Sequence, residues 1–177
     1  MDLSPIKLSP VFKDYLWGGT NLKTLYGKKS DLEKVAESWE LSFHKDGMTA
    51  LSNGQLLADA FSAEELGENA GAFKFFPTLI KFIDANDNLS IQVHPSDEFA
   101  LANENSYGKT EMWYIVEAED GAGLYVGFKE DVTKEQYESA IRENKLTDLL
   151  NFFKVKAGEA YFIPSGTVHA IGRGCLI

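Results

Sequence analysis

Ser90-Ile91-Gln92-Val93-His94-Pro95 alternates polar and apolar side chains and then stops at a proline. That is the period of a β-strand, ended by a residue that cannot donate to a ladder. Residues two apart in a strand leave the same face, so Gln92 and His94 project side by side. An imidazole nitrogen beside an amide oxygen is half of a metal site or half of a buried polar cluster. The apolar run Thr78-Leu79-Ile80-Lys81-Phe82-Ile83 leads into this stretch.

Working outward, residues 109–116 and Gly123–Phe128 read as strands with Asp120-Gly121 turning between them. Residues 152–155 and Ala160–Ile163 read as two more, around Lys156-Ala157-Gly158-Glu159. Pro164-Ser165-Gly166 then turns the chain into a strand over 167–171. Upstream, residues 37–44 alternate, placing Trp39, Leu41 and Phe43 on one face and Glu40, Ser42 and His44 on the other. His44 is read as structural. Capping-box patterns at Ser30-Asp31-Leu32-Glu33 and Ser62-Ala63-Glu64-Glu65 predict short helices. Ser96 caps another over Asp97–Asn103, with an acidic first turn that suits the helix dipole. The clearest helix opens at Thr133-Lys134-Glu135-Gln136 and runs through Tyr137, Ala140 and Ile141. Leu146, Leu149 and Leu150 follow in a further helical turn. There is no repeat, low-complexity run or linker. Many short strands with turn punctuation predict a β-sandwich or barrel in one domain, residues 1–177.

The chain has 177 residues, 44% hydrophobic and 25% charged, with a formal net charge of −10. The acidic balance, with a sequence pI near 4.8, argues against a nucleic-acid partner because no basic stripe is present to neutralise phosphates. A small phosphorylated ligand needs only a few local cations and stays allowed. Cys175 is the only cysteine, which excludes an internal disulfide and a multi-cysteine zinc module. Met1-Asp2-Leu3-Ser4-Pro5 lacks the basic and apolar regions of a secretory leader. No apolar run approaches the ~20 residues of a membrane span. We expect a cytoplasmic protein with no membrane partner. Gly174-Cys175-Leu176-Ile177 stops inside an apolar, strand-like run, so we expect a piece of a longer chain.

Three strands carry the residues with ligand chemistry: Gln92 and His94, Glu111, and His169. In a closed barrel the inward faces converge, so two imidazoles and a carboxylate can meet around one ion. Two His and one Glu with an open position is a catalytic zinc set, and an amide oxygen as a fourth ligand tolerates other divalent metals. Lys109, Glu111 and Trp113 share a strand face, which sets a lysine one side chain from the carboxylate. A lysine beside a dication and out of water has its charged form disfavoured, which suits proton transfer. A blander reading stands next to this one. His94 is then a buried histidine satisfied by backbone, Glu111 simply pairs with Lys109, His169 ends a turn, and Lys109 is a solvated strand-end lysine. Spacing alone does not choose between them.

A resemblance bears on the choice. Phe76-Pro77-Thr78-Leu79-Ile80-Lys81-Phe82-Ile83-Asp84 and Leu89-Ser90-Ile91-Gln92-Val93-His94-Pro95 resemble segments of type I mannose-6-phosphate isomerases. So do Gly108-Lys109-Thr110-Glu111-Met112-Trp113-Tyr114 and Ile163-Pro164-Ser165-Gly166-Thr167-Val168-His169-Ala170-Ile171-Gly172. Tyr15-Leu16-Trp17-Gly18-Gly19 and Glu37-Ser38-Trp39-Glu40 are similar to motifs near that family's N-terminus. The similarity runs through the whole chain in order and is closest to the short bacterial form.

The resemblance implies a cupin-type jelly-roll barrel with a few inserted short helices and one Zn2+ per chain. It places the metal on Gln92, His94, Glu111 and His169 and makes Lys109 an active-site lysine. It implies interconversion of mannose 6-phosphate and fructose 6-phosphate through a cis-enediol(ate), with Lys81 or Arg173 as candidate phosphate cations. The family's active-site arginine, on a later strand, has no counterpart in this sequence. Arg173 does not match its position. Two rival expectations follow. One is a sugar-phosphate-binding module without turnover. The other is an iron-dependent cupin oxygenase, whose usual His-x-His pattern is altered here by Gln92 and by a Glu111 far downstream.

Overall fold

The computed structural model describes residues 5–177, so the reading of Met1-Asp2-Leu3-Ser4 as leader-free lies outside the described residues. The protein is mainly β with a few short helices. The chain divides into two compact units, one through Asp84 and the other over Ala85–Ile177.

In the first unit β1 (Leu8–Ser9) pairs with β4 (Ala50–Leu51). A separate antiparallel ladder joins β2 (Val11–Lys13), β3 (Glu37–Leu41) and β5 (Ile80–Ala85). Helices α1 (Asn21–Thr24) and α2 (Leu57–Ala60) are single turns that bury Leu22 and Leu57. With Val35, Ala36, Trp39, Phe43 and Ile83 these form the unit's core. The strand expected over 37–44 ends at Leu41, after a register shift between Trp39 and Leu41. Beyond it the Ser42 hydroxyl accepts the His44 N–H at 3.1 Å, a local bond that competes with the ladder. The helix expected at Ser30 does not form. The Ser30 hydroxyl accepts the Leu32 N–H at 3.2 Å, two residues on rather than three, and makes a turn. The Ser62–Glu65 capping box is present, and it opens a 3-10 turn over Ala63–Leu66.

In the second unit the strands are β6 (Glu111–Tyr114), β7 (Glu117–Ala118), β8 (Gly123–Phe128) and β9 (Leu150–Lys154). They continue with β10 (Ala160–Ile163), β11 (His169–Ile171) and β12 (Cys175–Leu176). All pairings are antiparallel: β6 with β10, β8 with both β9 and β11, and β7 with β12. Ile115, Leu124, Leu150, Ile163 and Ile171 are buried and form its core. Helix α3 (Asp97–Asn103) starts where Ser96 Oγ accepts the Phe99 N–H at 3.3 Å. Helix α4 (Lys134–Arg142) carries a complete capping box between Thr133 and Gln136, worth about 1 kcal/mol. Asn144, with φ of 57°, closes it in the left-handed conformation that asparagine tolerates. The turn after it is a 3-10 segment, Leu146–Leu149, and Leu150 already belongs to β9.

The strand expected over Ser90–His94 shrinks to one bridge, Gln92 opposite His169. The cause lies in the partner segment. It turns at Pro164–Gly166, where Gly166 has φ of +83°, leaving only Gly166 N–H to reach the His94 carbonyl at 2.7 Å. Among the described residues no sheet closes on itself, and no helix is long and apolar enough to cross a membrane.

Candidate metal centre

Strand pleat selects which side chains of β6 reach the site. Met112 and Tyr114 are exposed at 66% and 53%, and Trp113 is buried. Glu111 shares the Trp113 face. His169 starts β11, registered opposite Val126 on β8, and is 1% exposed. On its other side the Gln92 and His169 main chains exchange two hydrogen bonds of 2.9 Å each. Directly opposed antiparallel residues leave the same face, so Gln92 stands beside the His169 side chain.

His94, Glu111 and His169 each turn one donor atom into a common volume, all within 4.8 Å of one another. Glu111 Oε2 lies 3.6 Å from His94 Nε2 and 3.5 Å from His169 Nε2. The His169 Nδ1 lies 2.8 Å from the Thr167 carbonyl, an arrangement in which Nδ1–H donates. That assignment leaves Nε2 as a bare lone pair. This nitrogen is buried and has no hydrogen-bond partner. A lone pair facing a carboxylate oxygen out of water is costly unless a cation lies between them. Bonds of about 2.0–2.1 Å to one tetrahedral ion separate donor atoms by roughly 3.3–3.5 Å, close to the two distances from Glu111 Oε2. The donor set fits a divalent metal.

Lys109 closes one side of the cluster. Its Nζ is 2.9 Å from Glu111 Oε1 and 3.1 Å from His94 Nε2. The lysine is held from behind by the Lys109 N–H donating to the Pro95 carbonyl at 3.1 Å. The Gly108 N–H also donates to Asp97 Oδ1 at 2.8 Å. Gly108 makes this approach possible, because a Cβ there would meet Asp97 N and Ser96 C at 2.4 Å. Burial pushes the Glu111 carboxyl up. The charge and hydrogen bond of Lys109, with His94 and His169, outweigh burial and hold it below its ordinary value.

Lys81 and Arg173, the expected phosphate cations, are placed differently. Lys81 lies in the first unit and pairs with Glu37 at 2.8 Å. Arg173 is exposed, and its N–H donates to Asn88 Oδ1 at 2.8 Å. His44 packs edge-on against Trp39, with ring centroids 5.9 Å apart. A cleft of about 690 Å³ in the second unit is lined by Gln92, Val93, Phe128, Tyr137, Thr167 and Val168, among others. None of His94, Lys109, Glu111 or His169 lines it. One contributor escaped the sequence reading and another was placed there without a role. The Thr167 carbonyl gives no signal in side-chain patterns. Trp113 gave one, two residues from Glu111 on the same face.

The family model for the type I phosphomannose isomerase catalytic domain matches residues 6–118, and the chain belongs to that family. It is 39% identical over 180 residues to the probable mannose-6-phosphate isomerase GmuF of Bacillus subtilis (strain 168). That alignment covers 98% of this chain and 56% of GmuF. The mannose-6-phosphate isomerase of Streptococcus mutans is 38% identical over 178 residues, again with 98% and 56% coverage. The crystal structure of mannose 6-phosphate isomerase from Bacillus subtilis superposes with a TM-score of 0.86 at 37% identity. A putative mannosephosphate isomerase from Archaeoglobus fulgidus gives 0.81 at 29%, covering 99% of this chain and 61% of that one. The chain thus spans a little over half the length of these relatives.

Proposed function

We propose that this chain carries the metal-binding part of a mannose-6-phosphate isomerase, built on a cupin-type barrel and holding one zinc ion. The observation that carries the reading is the buried His169 Nε2, without a partner and 3.5 Å from Glu111 Oε2. His94, Glu111 and His169 would hold the metal, with the Gln92 amide as a fourth ligand. When bound, the metal supplies Lewis acidity toward the carbonyl and hydroxyl oxygens of the sugar. The names of the relatives support the substrate, a sugar phosphate. The acidic composition supports an enzyme that handles no nucleic acid.

The reaction balances within the open-chain sugar. The C2 proton is removed and returned to C1, the O2 proton moves to O1, and a cis-enediol(ate) lies between. Glu111 is committed to the metal, which leaves Lys109 as the proton-transferring group. Its ammonium is also placed to hold the enediolate charge. A second reading is sugar-phosphate binding without turnover.

NMR of mannose 6-phosphate with the zinc-supplied chain in D2O separates the two readings. Conversion to fructose 6-phosphate with deuterium at the isomerising carbons is the expected result. Substrate line broadening without conversion, from a folded and zinc-loaded chain, would replace the isomerase with the binding module.

A further inference from the structure

We propose that Trp113 is a positioning residue for His169, holding that imidazole where its Nε2 can bind metal. The inference rests on the metal-centre reading and adds a residue to it. Trp113 is 5% exposed and lies two residues beyond Glu111 on the same face of β6. Its ring meets His169 at 5.3 Å between centroids and 73° between planes, an edge contact. The Thr167 carbonyl at 2.8 Å fixes where Nδ1 points. The His94 ring, 4.9 Å away between centroids, bounds the imidazole on one side. Rotation about the Nδ1 contact toward the Trp113 side would carry Nε2 away from Glu111. The indole fills the space into which it would swing. A single strand therefore supplies both a ligand, Glu111, and the wall that aims its neighbour. The apolar wall also keeps water from the buried Nε2, which strengthens its attraction for a cation.

The test titrates Co2+ into the chain by visible absorption, with thermal unfolding run in parallel. The proteins are wild type, Trp113→Leu, Trp113→Met, Trp113→Phe, Ile115→Ala and His169→Ala. Loss of an outer partner typically weakens metal affinity by about 10–100-fold, and Trp113→Leu is expected in that range with an altered Co2+ band. Trp113→Met is expected to behave alike, and it decides the matter should the leucine variant not fold. Trp113→Phe keeps an aromatic edge and is expected to restore near wild-type affinity and spectrum. Ile115 is fully buried, so Ile115→Ala lowers the melting temperature, and it should leave the Co2+ affinity unchanged. Wild-type affinity in Trp113→Leu or Trp113→Met would overturn the inference. So would an equal loss in Ile115→Ala. Absent Co2+ binding in wild type, or full binding in His169→Ala, would instead overturn the metal centre itself.

Discussion

The Glu37–Lys81 pair beside Trp39 and the Glu111–Lys109 pair beside Trp113 look alike on their strands and are chemically unlike. In the first unit, Glu37 Oε1 takes Lys81 Nζ at 2.8 Å and Glu37 Oε2 takes Trp39 Nε1 at 2.6 Å. Both carboxylate oxygens are committed and the cluster is closed. In the second unit, Glu111 Oε1 takes Lys109 at 2.9 Å, but Oε2 faces two imidazole nitrogens at 3.5 and 3.6 Å. One of those nitrogens has no hydrogen bond at all. A saturated charged pair holds a fold together, whereas an unsaturated one is arranged for a guest. Exposure differs too: the Lys81 side chain is 20% exposed and the Lys109 side chain 44%.

Removing a ligand gives the strongest test of this contrast. His169→Ala and His94→Ala are each expected to lose most bound zinc, by more than the roughly 10–100-fold that an outer partner is worth. Metal analysis after dialysis checks this. Retention by both variants would make the second cluster as structural as the first. Next, Lys109→Ala is expected to keep its zinc and lower turnover by about 10²–10⁴-fold, the usual share of a proton-transferring group. Wild-type kcat would return Lys109 to the role of a simple salt-bridge lysine.

Breaking the closed pair gives a different signature. Glu37→Ala leaves the Lys81 charge and the Trp39 N–H without their carboxylate and is expected to cost about 3 kcal/mol of stability. Urea unfolding measures the cost, and zinc content is expected to stay at the wild-type level. Loss of zinc would dissolve the distinction between the clusters.

The smallest effect concerns Cys175, buried outside both clusters, where burial pushes the thiol up to about 11. Below an ordinary thiol value of roughly 8.5 both folded and unfolded chains are protonated, and stability is indifferent to this group. Above it only the unfolded thiol ionises, so the group's contribution falls away from about pH 9 toward pH 11. A shallower alkaline decline in Cys175→Ala than in wild type would confirm the sign.

Much of the metal cluster was legible because ligand chemistry and strand period coincide. Glu111 and Trp113 sit two apart in a strong strand pattern, and His169 follows a proline–glycine turn that starts one. The segment around His94 was legible as chemistry and misread as structure. Its alternation predicts a ladder, but the partner segment turns at Gly166, and the regular pairing shrinks to the Gln92–His169 bridge with single hydrogen bonds on either side. Ser30 shows the same limit, since a capping pattern states what a hydroxyl can do and not which N–H it will choose. The Thr167 carbonyl and the closed Glu37–Lys81–Trp39 cluster were out of reach altogether. The first is main chain, and the second joins residues 44 positions apart.

The most direct test of the account is zinc K-edge X-ray absorption on the zinc-loaded chain. A shell of nitrogen and oxygen donors at about 2.0–2.1 Å is expected, with outer scattering from two imidazoles and no sulfur. A shell at about 2.3 Å from a thiolate, or one without imidazole scattering, would contradict it. The partnerless nitrogen of His169 would then need another explanation.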